Sequence, residues 1–294
     1  TISIADARRV AEEAVATARA SAATKREDAA LASAEAHRGV FASACEVDPF
    51  GVPLEDKIVL LKSADEVLRK NPKVKLTSCS MRFWRSHQVF ASTEGAFIEQ
   101  TRTESGGEIE ATAIEGSELQ TRSYPAMGGD YAAAGYEFVE GLMLPENAER
   151  VAEEATALLD APVCPDRETT LIIEGSMLAL QVHESCGHPI ELDRVFGTES
   201  SFAGTSFLTT DKLGSFRYGS DIVNITADAT LPGGLGSLAF DDEGVPAQRV
   251  NIVKNGIFSG YLTSRETAAR MGWTSGAAMR ADGWDRIPLI RMTN

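Results

Sequence analysis

Hydrophobic side chains recur at intervals of three and four over residues 54–70, which predicts a helix. Asn71-Pro72 ends this helix, because proline disfavours helical backbone in the residue before it. An alanine-rich stretch at residues 1–23, with Ser3 or Asp6 as a candidate N-cap, predicts another helix. The chain therefore opens with two helical segments.

The pattern changes to a two-residue alternation over residues 73–124. Glycine-containing segments at residues 93–95 and 105–107 interrupt the alternation, which is typical of strands joined by turns. We therefore predict an antiparallel meander in this part of the chain. A further helix is predicted to begin at Pro145 and to end at Pro162.

The second half of the chain begins with a short apolar run. Residues 169–174 predict a buried strand, and Ser176 is placed to cap the helix that follows. From about residue 205 onward the pattern favours strands again, with an Asn-Gly hairpin turn at residues 254–256. Residues 287–294 resemble the start of a strand without a closing turn, so we expect an unpaired strand there.

These elements predict an α+β fold, in which helices flank an antiparallel sheet and a mostly β second domain follows. We place an N-terminal α+β domain at residues 1–164, lacking its first strands, and the start of a C-terminal β-rich domain at residues 165–294. Because the sequence begins with Thr1 and ends within a predicted strand, we expect a fragment that is incomplete at both ends. A short natural tail is the alternative.

Composition narrows the classes of function. The 294 residues include 28 Lys and Arg and 43 Asp and Glu, which gives a net charge of −15. A chain this acidic is not expected to bind nucleic acid, because that needs basic side chains facing phosphates. No apolar stretch approaches the ~20 residues of a membrane span. The four cysteines are sparse and form no Cys-x-x-Cys motif, which favours a reducing cytoplasm over a disulfide framework.

Candidate chemistry is concentrated in the segment His183-Glu184-Ser185-Cys186-Gly187-His188. Zinc peptidases with His-Glu-x-x-His place two histidines four apart on one helix face. Here the spacing is five, which leaves the two side chains ~140° apart on a regular helix. Gly187 and Pro189 permit the helix to bulge or end, so we predict that it does so around Cys186–Gly187 and that the imidazoles converge. The alternative is a core histidine followed by a histidine at a helix end.

Further carboxylates lie close to this segment and elsewhere. Glu191 and Asp193 are within reach as hydrogen-bond acceptors for the outer imidazole nitrogens. The acidic segment at residues 241–244 is too short for a calcium loop of the EF-hand type, so we predict an acidic turn between strands.

The motif and its flank, His183-Glu184-x-x-Gly187-His188-x-x-Glu191-x-Asp193, resemble the signature of the TldD/PmbA (TldE) family of metallopeptidases. Further segments resemble the family in the same order, namely residues 47–57, 92–100, 231–244, 254–256 and 291–294. The resemblance covers essentially the whole chain, and the complete motif is similar to that of the catalytic TldD type.

The resemblance implies that His183 and His188 are zinc ligands and that Glu184 is the general base. It also implies a third ligand, a cysteine from a later part of the C-terminal domain, which has no counterpart in this sequence. Cys186 is an alternative third ligand, although a small buried cysteine is the more ordinary role at its position.

The implied activity is the cleavage of flexible or unfolded peptides, held in extended form within a dimer. The partner would be a second copy of the chain or a TldE-like subunit. The residues leave two alternatives open, a metal hydrolase for amides that are not peptides and a non-catalytic peptide-binding subunit. An edge of the meander at residues 73–124 is a candidate for pairing with an extended peptide.

Overall fold

The structure, a computed structural model, describes residues 3–25, 28–283 and 285–294. Its helices are α1 (Ile4–Ala22), α2 (Leu54–Leu68), α3 (Tyr136–Gly141), α4 (Leu144–Leu159), α5 (Gly175–Val182), α6 (Leu192–Val195) and α7 (Arg265–Met271). Its strands are β1 (Arg38–Ala42), β2 (Val74–Ala91), β3 (Phe97–Glu115), β4 (Glu118–Tyr124), β5 (Asp130–Ala132), β6 (Ile225–Asp228), β7 (Arg249–Lys254), β8 (Ile257–Phe258), β9 (Met279–Arg280) and β10 (Leu289–Ile290). A π-helical turn covers His183–Gly187, and 3₁₀ turns cover His188–Ile190 and Thr210–Lys212. The predicted α+β fold is confirmed.

The sheet of the first half is built around β3. Strand β2 pairs with it antiparallel on one side, while β4 and β5, both antiparallel, and β1, parallel, share the other. The predicted meander is thus confirmed, except that residues 105–107 lie within β3 rather than in a turn. Gly106 permits close packing there, because a Cβ at this position would overlap the ring of Tyr131 on the paired strand β5.

Helices α2 and α4 supply the apolar face that covers this sheet. Their buried side chains pack with those of β3 around Leu68, Ile109 and Leu144, which are fully buried. Pro145 lies in the first turn of α4, as expected. Helix α1 differs, because none of its residues is buried, although Ser3 caps it by accepting the backbone N–H of Asp6.

The second half has its own apolar core, with Leu208, Phe258 and Tyr261 among its largest buried side chains. Strands β6, β7 and β8 form one small antiparallel sheet, and β9 pairs with β10. The hairpin turn predicted at residues 254–256 is confirmed, since Asn255 and Gly256 have φ values of 49° and 74°.

Three local predictions for the second half are wrong. Residues 169–174 form no strand, and Ile172 is 98% exposed, because no strand in the described ranges pairs with them. Helix α5 begins at Gly175 and is capped by Glu174, whose longer side chain accepts the N–H of Ser176. The terminal strand is not unpaired, because Ile290 pairs with Met279 and is fully buried.

Contacts between the two halves fix their relation in the structure. The side-chain amide of Gln100 on β3 donates to the carbonyl of Phe240 and accepts its N–H, both at 2.9 Å. Arg265 at the start of α7 makes a two-pronged ion pair with Glu94, with both N–O distances at 2.7 Å. In the described ranges, every helix is too short or too polar to cross a bilayer.

Candidate metal centre

The backbone around the histidine motif departs from regular helix. Helix α5 passes into the π-helical turn, in which the N–H of His188 donates to the carbonyl of His183. A hydrogen bond between residues five apart brings the chain back to the same face after five residues, so it matches the spacing of the motif. Turns of this kind are rare in proteins, and many of those that do occur lie at functional sites. The bulge predicted around Cys186–Gly187 is confirmed.

The π turn brings three potential ligands together. The rings of His183 and His188 lie 4.8 Å apart between centroids and are perpendicular. Ligand atoms of these two side chains and of Glu184 all lie within 4.8 Å of one another. The side chains of His183 and Glu184 are 47% and 65% exposed, and that of His188 is 27% exposed. The motif therefore forms an open site on the surface.

These residues fit a metal ion in both chemistry and spacing. Imidazole nitrogen and carboxylate oxygen are ordinary zinc ligands, and ligands at about 2.0–2.1 Å in tetrahedral geometry stand roughly 3.4 Å apart. Small rotations of the three side chains would bring their ligand atoms from the observed separations, which are at most 4.8 Å, to this spacing. Glu184 Oε1 lies 3.9 Å from His183 Nε2, a position that suits either a ligand or a base beside the metal.

Glu191 controls the orientation of His188. Its carboxylate is fully buried, and both oxygens lie 3.2 Å from His188 Nδ1. A proton on Nδ1 is therefore donated to Glu191, which leaves Nε2 free for a metal. Burial raises the pKa of Glu191, while the adjacent His188 and Arg194 oppose that rise.

A buried network of charges extends behind Glu191. Arg194 Nη2 lies 2.9 Å from Glu191 Oε2 and 3.6 Å from Glu199 Oε2. Arg291 Nη1 lies 3.1 Å from the other oxygen of Glu199. These partners are absent from the predictions made from the sequence, although Arg194 follows Glu191 by three residues, the spacing of neighbours on one helix face. Arg291 belongs to a segment that resembles the family, and nothing in the local sequence links it to Glu191.

Asp193 contacts backbone rather than an imidazole. Its carboxylate accepts the N–H groups of Arg194 at 2.8 Å and of Ile290 at 3.1 Å. Burial raises its pKa, and the nearby carboxylate of Glu199 adds to the rise. Its role in the structure is to tie β10 to the segment that follows the motif, which differs from the acceptor role expected for an imidazole.

Cys186 faces the interior of the second half. Only 1% of it is exposed, and burial raises the pKa of its thiol. It does not belong to the group formed by the two histidines and Glu184. Its neighbour Ser185 accepts a hydrogen bond of 2.8 Å on its carbonyl from the hydroxyl of Tyr218, which holds the π turn against the core.

The segment after β10 packs against the π turn at Gly187. A Cβ on Gly187 would overlap Sδ of Met292, so the absence of a side chain permits this close packing. Two residues later, Asn294 donates to the carbonyl of Asp228 at 2.8 Å and accepts the N–H of Gly236 at 2.8 Å. An apolar cavity of about 470 Å³ opens beside His183 between α5 and β6.

We expect Gly187→Ala to lower the free energy of unfolding by about 1–3 kcal/mol, because the added methyl group overpacks Met292. Thermal and urea unfolding would measure the change. Gly175→Ala is the matched control, since a Cβ there meets no atom within 4 Å. The double variant Gly187→Ala/Met292→Ala should recover part of the loss. Equal stabilities for Gly187→Ala and Gly175→Ala would show that the close packing is unimportant.

Comparison with known families matches both halves of the chain. Residues 47–159 match the PmbA/TldA metallopeptidase central domain, and residues 166–294 match the PmbA/TldA metallopeptidase C-terminal domain.

Individual relatives agree with these matches. A protein named metalloprotease from Methanocaldococcus jannaschii is 31% identical over 249 residues, covering 85% of this chain and 52% of the relative. A protein named zinc metalloprotease TldD homolog from Saccharolobus solfataricus is 30% identical over 128 residues, covering 43% of this chain and 27% of the relative. The chain spans about half the length of the first curated relatives it matches.

A solved structure has the same fold. It is a Thermotoga maritima protein described as a modulator of DNA gyrase, and it superposes with a TM-score of 0.65 at 22% identity. The superposition covers 90% of this chain and 56% of that protein.

Proposed function

Because the chain belongs to the PmbA/TldD metallopeptidase family, we propose that the protein is a zinc-dependent peptidase that cleaves flexible or unfolded peptides. The observation that carries the proposal is the convergence of His183, Glu184 and His188 across the π turn. On a regular helix a five-residue spacing would keep the two imidazoles apart, and the π turn removes that separation, so the backbone and the side chains support the same chemistry.

Each side chain of the site has a role in this proposal. His183 and His188 would hold the metal through their free nitrogens, and Glu191 keeps the proton of His188 on Nδ1. A bound zinc ion would supply Lewis acidity, which would polarise a peptide carbonyl and lower the pKa of a water molecule toward ~7. Glu184 takes the proton of the attacking water and passes it to the amine nitrogen that leaves.

The choice of zinc follows from the donor set and from a relative. Two imidazole ligands with an adjacent glutamate that acts on the metal-bound water are typical of zinc peptidases with the His-Glu-x-x-His motif. The relative from Saccharolobus solfataricus carries zinc in its name. We propose that the remaining ligand is the cysteine that the family resemblance implies, since Cys186 is turned into the core.

The remaining alternatives differ from this proposal in testable ways. A non-catalytic peptide-binding subunit would not need both histidines and the glutamate, which this chain retains. A hydrolase of non-peptide amides would use the same side chains and would differ in its substrate alone.

We propose that the protein works in the cytoplasm as a homodimer or with a TldE-like subunit, as the family resemblance implies.

Removal of the metal is expected to abolish cleavage of an unstructured peptide, and added Zn²⁺ should restore it, because the carbonyl is polarised only when the metal is present. The assay would use the protein as its gene encodes it, with zinc measured by atomic absorption and cleavage by mass spectrometry. A small non-peptide amide serves as the control substrate. Cleavage of that amide but not of peptides would favour the alternative hydrolase, and cleavage by metal-free protein would exclude a metal mechanism.

A further inference from the structure

A second cavity, of about 990 Å³, lies between the central sheet and the loops of the second half. Phe41 and Trp84 line it from the sheet, and Leu231 lines it from the opposite side. Its lining includes four arginines, Arg85, Arg102, Arg280 and Arg286, and we call it the arginine groove. Asp242 is the acidic residue among its lining side chains, and His87 is also present. Such a cationic lining is unusual in a chain with a net charge of −15.

Most of these charges already have partners. Three arginines pair with carboxylates: Arg85 with Asp48 at 2.6 Å, Arg102 with Glu104, and Arg286 with Asp285 at 3.8 Å. Asp242 accepts hydrogen bonds from the side chain of Gln88 at 2.5 Å and from the N–H of Ala281 at 2.6 Å. Because these charged side chains already have partners, they attract a charged ligand less strongly than unpaired charges would.

Arg280 differs from the other three arginines. It is partly buried, and within the described ranges its guanidinium has neither a carboxylate at ion-pair distance nor a hydrogen-bond acceptor. Burial lowers the pKa of Arg280, and the nearby Arg102 adds to this effect, while the carboxylates of Asp242 and Glu191, both beyond ion-pair distance, oppose it. A half-buried cation that no carboxylate contacts directly is incompletely neutralised, so an incoming anion that reaches hydrogen-bond distance is favoured at this position.

Short stretches of the chain connect the arginine groove with the candidate metal centre. Arg280 lies on β9 opposite Leu289 of β10, and the chain runs from β10 directly to Met292, which packs against Gly187 of the π turn. Ala227 on β6 lines the cavity beside His183, and Ala229, just beyond β6, lines the arginine groove. Along these segments, a peptide bound at the histidines would extend toward the groove.

We infer that the arginine groove binds a carboxylate of the peptide substrate through Arg280, with apolar neighbours of that carboxylate resting on Trp84 and Leu231. This inference rests on the proposed peptidase function and names a class of substrate, extended peptides that carry an acidic group. A planar guanidinium matches a carboxylate with two parallel hydrogen bonds. The net negative charge of the chain repels anions at long range, so the preference arises from this short-range contact.

Binding of three fluorescent peptides would test the inference by anisotropy. All share one unstructured neutral sequence: the first has a free C-terminal carboxylate, the second an amidated end and one glutamate, and the third an amidated end and a glutamine. The Glu184→Gln protein in chelator is used, so that neither metal nor cleavage enters the measurement. We expect at least one acidic peptide to bind ~10-fold more tightly than the neutral one, as a charged hydrogen bond allows.

The variant Arg280→Gln should remove this preference and leave binding of the neutral peptide unchanged. Arg9→Gln is the charge-matched control, because Arg9 is exposed on α1, a helix without buried residues. The first two peptides distinguish a terminal carboxylate from a side-chain carboxylate. Equal affinities for all three peptides, or an unchanged preference in Arg280→Gln, would overturn the inference.

Arg280→Lys provides the same test if Arg280→Gln does not fold. It retains the charge and loses the two-pronged geometry, so a preference several-fold smaller supports the inference and an unchanged one contradicts it. Cleavage assays are separate from these measurements. A peptide preference without hydrolysis would contradict the proposed function alone, and hydrolysis without a preference would contradict the groove alone.

Discussion

Glu184→Gln is expected to retain zinc and to lose peptide cleavage by ~10²-fold or more, the range that a general base contributes. The substitution preserves the size of the side chain and removes its ability to accept a proton. The side chain of Glu184 is 65% exposed and makes no hydrogen bond within the described ranges, so the substitution should leave folding unaffected. Zinc by atomic absorption and cleavage of an unstructured peptide would be measured on the same preparation.

Glu168→Gln is the matched control for this variant. Glu168 is exposed in the segment before α5 and lies outside the motif, so it reports the effect of removing one negative charge from a glutamate that has no proposed role. The outcome that would assign Glu184 as a ligand is a loss of zinc, with the remaining cleavage proportional to the remaining metal. The geometry admits both roles, since the potential ligand atoms of Glu184 and of the two histidines lie within 4.8 Å of one another. This experiment separates the two roles.

His183→Ala is expected to lose zinc and cleavage together. Loss of a partner that only orients a ligand weakens metal binding ~10–100-fold, so loss of the ligand itself should exceed ~100-fold. The variant should fold, because the imidazole is 47% exposed and its packing contact is the ring of His188. Titration with Zn²⁺ against a competing chelator would give the affinity.

His87→Ala is the control for zinc content, since His87 is an exposed histidine on β2 outside the motif. It should bind zinc as the unmodified protein does. If His183→Ala kept full zinc affinity, the metal would be bound elsewhere, and the convergence of the two imidazoles would be a feature of packing alone.

The sequence was sufficient to predict the bulge at the motif. Five residues between histidines do not fit an α-helix, and Gly187 with Pro189 offers the local freedom to adjust, so both the problem and its solution lie within seven residues. The network behind Glu191 was not predictable in this way. Arg291 reaches it from 100 residues further along the chain, and only tertiary folding brings the two together.

Two failed predictions have a related cause. The apolar run at residues 169–174 has the composition of a strand, but a strand also needs a neighbour, which local sequence does not specify. Gly106 and Gly107 have the composition of a turn, but glycine equally permits another strand to pass close by. In both cases the pattern indicated a local property, and long-range contacts determined its structural use.

The π turn also has a consequence for how this motif can change by insertion or deletion. One extra residue between the histidines is accommodated within a single turn, so α5 and the segment after His188 need not rotate relative to each other. A chain with the usual four-residue spacing could therefore gain one residue here, or lose it again, with both imidazoles still on one face. The two spacings would then be neighbouring solutions, separated by a single codon rather than by a change of fold.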